Sequence, residues 1–139
     1  MVQKITLLLF LITHAVTAQE DCLLGVGGKD DDTIIEVFQL KDEQIRTIRN
    51  LSAELKYRNE LLKNRAHAIL ETQWQSSPED LLSMSYEYRA LVDSMKNNIR
   101  FIDKRLLALF DNKQYALYVK LCSMATLNPM FIERKVNEN

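Results

Sequence analysis

Glycine is nearly missing from this chain, and its placement says as much as its rarity. The three glycines of the 139 residues are Gly25, Gly27 and Gly28, and beyond them no glycine interrupts the sequence. The two prolines, Pro78 and Pro129, lie far apart. Long stretches are therefore free to continue as helix. Histidine is scarce too: His14 lies in the extreme N-terminal region and His67 is the other. A clustered-histidine metal centre is excluded on that count, and no Ser-His-Asp arrangement is readable. Two cysteines rule out a disulfide-dense scaffold. No charge of one sign dominates, with 18 basic and 19 acidic residues, so nucleic acid is not an expected partner. The one long apolar run is Ile5–Ile12, much shorter than the roughly 20 residues that cross a bilayer.

That run has its own meaning. Met1–Lys4 supplies one positive charge, ITLLLFLI follows, and Val16-Thr17-Ala18 offers small residues before an acidic break. This is the pattern of a secretory signal peptide over residues 1–18, cleaved after Ala18. Cleavage removes Lys4 and no acid, leaving one domain's worth of chain with no stable membrane insertion expected. Export also permits a disulfide. Cys22 and Cys122 could bridge within the chain, bridge two chains of a dimer, or stay as free thiols.

Residues 19–33 read as a flexible acidic arm. The Gly-x-Gly-Gly lacks the preceding strand and following Gly-Lys-Ser/Thr of a phosphate loop, and Asp30–Asp32 lack the spacing of a calcium loop. The three aspartates suit the start of a helix instead. Six acids in residues 19–36 face six bases in residues 96–120, so the arm and the later helices are expected to attract each other within or between chains.

Residues 34–127 read as the helical domain. Ile34, Ile48, Leu55, Leu62 and Ile69 recur at heptad spacing, with Lys41 the exception, over one long helix to about Gln75 or two with a bend near Leu40. Ser52 and Asn59 thin this stripe and are expected to face water or a partner. Ser77 caps the next helix, Pro78 suits its first turn, and Leu81, Tyr88, Met95, Ile102 and Leu109 repeat every seven residues. Two such helices make a long antiparallel hairpin. Asp111 and Gln114 then form a capping box for a C-terminal helix. Asn128-Pro129 ends it, and residues 128–139 are expected to be a polar tail. The fold class is all-α.

Two helix starts share a pattern 70 residues apart: Leu40-Lys41-Asp42-Glu43-Gln44 and Phe110-Asp111-Asn112-Lys113-Gln114. Each places an apolar residue four before a glutamine, with Ile45 or Tyr115 directly after. This resembles the paired LTxxQ motifs of the Spy/CpxP-like periplasmic family. Lys41 and Asp111 stand where the family has Thr, and Phe110 where it has Leu. The resemblance implies a thin, curved helical homodimer in the periplasm that acts as a chaperone or envelope-stress modulator. Protein clients or a stress-sensor partner would be its ligands, and Leu40, Gln44, Phe110 and Gln114 would be structural. Other relatives sense heavy metals, which implies the alternative of a metal- or ligand-sensing domain.

Chemistry beyond that is thin. His67 and Glu71 share a helix face but lack a third ligand, and Cys122, Met124 and Met130 at helical spacing read as core more readily than as a copper site. No catalytic residue, cofactor or resident metal is expected. Arg46, Arg49, Lys56, Arg58, Lys63 and Arg65 stud the first long helix and form the candidate client-binding face, where charge speeds encounter and apolar groups hold it. Trp74, Tyr86 and Tyr88 lie at or near the hairpin tip. A secreted carrier of an apolar ligand, lined by the stripe of the second long helix, is a further alternative.

Overall fold

The computed structural model describes residues 20–72 and 76–133. The segment expected to be a signal peptide cleaved after Ala18, Trp74 and residues 134–139 lie outside the described residues. The protein is all-α in character, with a minimal strand pair added. Strand β1 (Asp21–Cys22) is followed by helices α1 (Asp31–Val37), α2 (Asp42–Thr72), α3 (Pro78–Leu107) and α4 (Asn112–Met124), then strand β2 (Asn128–Pro129).

The bend near Leu40 is real. Helix α1 ends at Phe38, and Gln39 turns the chain with φ of 49° before Leu40 buries itself. At the starts of α3 and α4 the local signals act as the sequence indicated. Ser77 and Asp80 form a reciprocal capping box with Pro78 in the first turn of α3, and Asp111 and Gln114 form another at α4. Helices α2 and α3 pack along each other in opposite directions: Glu54 meets Arg105, Asn59 meets Asn98, and Arg65 meets Glu87.

The core sits at one end, here called the base. Ile48, Leu51 and Leu55 of α2, Ile102, Leu106 and Leu107 of α3, and Tyr118 and Cys122 of α4 close around Val26, Ile34, Phe38, Leu40, Phe110 and Met130. Cys22 and Cys122 form an intramolecular disulfide.

Three expectations change here. Residues 20–33 are no loose arm: Val26 is buried, Cys22 is covalently tied, and the glycine loop lies against α2. The start of the C-terminal tail is built in as well. Asn128 and Pro129 pair in parallel with Asp21 and Cys22, and Met130 is buried. Neither strand carried a recognisable pattern because each is two residues long. Ser52 faces neither water nor a partner; its hydroxyl is buried, donating to the Asp31 carboxylate and contacting the Ile48 carbonyl at 2.8 Å.

Candidate functional site

At the base, the two motif copies meet. The Gln44 side-chain amide donates to Gln114 Oε1 at 2.8 Å, and the Gln114 amide donates back to Gln44 Oε1 at 3.0 Å. Each oxygen also accepts the backbone N–H three residues earlier, Lys41 for Gln44 and Asp111 for Gln114, both at 2.9 Å. Each amide reaches a carbonyl of the opposite turn as well, Leu109 for Gln44 and Phe38 for Gln114. Two helix starts 70 residues apart are thereby capped by one shared set of bonds. Leu40 and Phe110 are buried beside it, Phe110 stacks 4.8 Å from Phe38, and Lys41 pairs with Asp111 at 3.3 Å. The N–H of Gln114 and the Lys41 ammonium hold the Asp111 carboxyl below its ordinary range. All these groups satisfy one another, so this is a fastening and not a reactive centre.

A second fastening was not anticipated. Asp103, fully buried on α3, accepts the backbone N–H groups of Leu24 at 2.7 Å and of Gly25 and Val26 at 3.0 Å. Burial pushes its carboxyl above the ordinary range, while the three N–H groups pull the other way and Asp31 adds to the rise. Asp31 accepts Gly27 N–H at 2.8 Å together with the Ser52 hydroxyl. The loop can approach α2 this closely because a Cβ on Gly27 would come 3.0 Å from Leu55, and Gly27 adopts φ of +84°. Tyr118 completes the closure, donating to the Cys22 carbonyl at 2.7 Å and accepting Met130 N–H at 2.8 Å. One sequence signal was present for Asp103. Its neighbours four before, three after and four after are Ile99, Leu106 and Leu107, which puts an acid on an apolar face.

The acidic N-terminal segment and basic later helix do attract within the chain, as Asp21 pairs with Arg100 at 2.5 Å. The six basic residues of α2 do not form one face. Arg58 and Arg65 lie on the flank towards α3, where Arg58 pairs with Glu54, Arg65 pairs with Glu87, and Arg58 and Arg105 both lie over Phe101. Arg105 first, then Arg58, hold the Glu54 carboxyl below its ordinary range. Arg49 pairs with Asp32 on the other side. Arg46, Lys56 and Lys63 are exposed and have no ion-pair partner among the described residues.

No family model matches the chain, and no curated protein or solved structure matches it either.

The remaining surface has two characters. Away from the base, apolar side chains stand in solvent on both long helices: Tyr57 is 69 % exposed, Leu61 57 %, Leu82 58 % and Tyr86 63 %. Leu70, Leu81 and Tyr88 are partly covered and line a shallow groove of about 220 Å³ with Ile69, Met84 and Ser85. His67 and Glu71 are exposed on α2, and no group of three metal-ligating side chains occurs among the described residues. Cys122 is consumed by its disulfide, and Met124 is exposed while Met130 is buried, so these three do not assemble as a soft-metal set. No helix among the described residues is long and apolar enough to cross a membrane.

Proposed function

We propose that this protein is an exported, non-enzymatic helical protein of the Spy/CpxP-like kind that binds other proteins, as a periplasmic chaperone or envelope-stress modulator. The observation that carries the proposal is the exposure of Tyr57, Leu61, Leu82 and Tyr86 on α2 and α3, outside the core at the base. Single exposed apolar residues are ordinary, and four large ones on two adjacent helices supply apolar contacts that a client can use. The exposed Arg65–Glu87 pair links the same two helices and would affect the approach of a charged client without anchoring it.

The family assignment is supported by the mutual bonding of Gln44 and Gln114. That bonding gives the degenerate motif at Leu40 and Phe110 one shared structural purpose. A homodimer cradling its client, with the cleaved signal peptide and the disulfide both consistent with an oxidising compartment, completes the proposal. It transfers fold more securely than activity.

The test is suppression of aggregation of a chemically denatured client, followed by light scattering with the disulfide intact. Suppression at near-stoichiometric ratio is the expected result. No effect up to large molar excess would remove the chaperone assignment. Sizing at tens of micromolar tests the dimer separately.

A further inference from the structure

One groove in the described residues is lined by none of the exposed Tyr57, Leu61, Leu82 and Tyr86. It encloses about 680 Å³ between the glycine loop and α2, with Val26, Leu55 and Ile99 at its floor. One bank is the backbone of Gly25, Gly27 and Gly28; the other carries Lys56, Asn59, Glu60 and Lys63. The groove exists because the loop has no side chains to fill it. A Cβ at Gly25 would meet nothing within 4 Å. Its size is in the range of small-molecule sites, and its exposed wall is mostly apolar.

The charges along it are distinctive. Three of the four arginines on α2 have carboxylate partners, whereas Lys56 and Lys63 have none among the described residues. These lysines sit two helical turns apart on the bank of the groove, with Glu60 between them, so the bank carries a net charge of one positive unit. An ammonium on a flexible stem can lie along apolar wall and keep its head at the rim. Charge and wall together select a ligand with one apolar chain and one negative head.

We propose that this groove binds a single-chain anionic amphiphile, of the fatty-carboxylate class. The apolar chain lies over Leu55, Val26 and Ile99, and the carboxylate meets Lys56 or Lys63. The site is independent of the protein-binding role, because none of Tyr57, Leu61, Leu82 and Tyr86 lines it.

The glycines make the test direct. They are the only three in the chain and all line the groove, so their amide signals in a heteronuclear NMR spectrum probe it directly. Titration with decanoate below its micelle point is expected to shift these signals saturably, with decylammonium as the charge-reversed control leaving them in place. The double substitution Lys56→Gln, Lys63→Gln should weaken decanoate by about five- to ten-fold, the size expected of two exposed charge interactions. Its thermal melting should stay unchanged because both side chains are exposed. Unmoved glycine signals, equal binding of decylammonium, or undiminished affinity in the double variant would each overturn the proposal.

Discussion

The base and the outer reach of the long helices are made of similar residues used in opposite ways. At the base, the core side chains are enclosed, although Val37, Met124 and Phe131 beside them stay exposed, and every described buried side-chain polar atom has a partner. Farther out, Tyr57, Leu61, Leu82 and Tyr86 stand in water, and the polar links between the two helices are the Asn59–Asn98 bond and the exposed Arg65–Glu87 pair. Such pairs contribute at most about 1 kcal/mol each. Stability is therefore concentrated at one end, and the other end is free to present apolar surface.

The comparison breaks most severely at the disulfide. Replacing Cys22 and Cys122 by Ser opens a link spanning 100 residues. The expected loss is about 2–5 kcal/mol, read by urea unfolding. Asp103→Ala comes next, at about 3 kcal/mol, because three backbone N–H groups of the glycine loop lose their acceptor. Gln44→Ala and Gln114→Ala should each cost about 1–2 kcal/mol, and the double variant less than their sum, since either change already breaks the reciprocal pair.

Titration sharpens the contrast further. Asp103 has a raised carboxyl pKa, so its stabilising contribution is full below the unfolded value near 3.9 and is lost as pH rises through the folded value. Glu54 and Asp111 are lowered, so theirs is present above the unfolded values and lost as pH falls through the folded ones. The stability of the protein relative to its Asp103→Asn variant should accordingly decline as pH is raised from about 4 towards 7. A difference that grows over that range would contradict the assignment.

Much of the fold was legible because its signals are local. The capping boxes at Ser77 and Asp111 need only a cap and a partner three residues on, and the heptad stripes of both long helices show without any tertiary knowledge. Leu40, Gln44, Phe110 and Gln114 were recognisable as a repeated pattern, though not as partners of one another. What stayed hidden depends on distant contacts. Asp103 binds residues 77 to 79 positions away, so the glycine loop looked flexible when read alone. Ser52 looked like a gap in a stripe, yet it answers a buried aspartate 21 residues earlier. The basic residues of α2 suggested one face because their ion-pair partners on α3 and near α1 could not be assigned from sequence.

The smallest expected effect on stability belongs to the outer surface. Changing Tyr57, Leu61, Leu82 and Tyr86 together to Ser should alter unfolding by no more than about 1 kcal/mol, as expected of exposed positions. The same quadruple variant tests the central claim most directly when its suppression of client aggregation is measured beside the unaltered protein. The account predicts loss of suppression with the melting transition preserved. Undiminished suppression by a folded quadruple variant would contradict it.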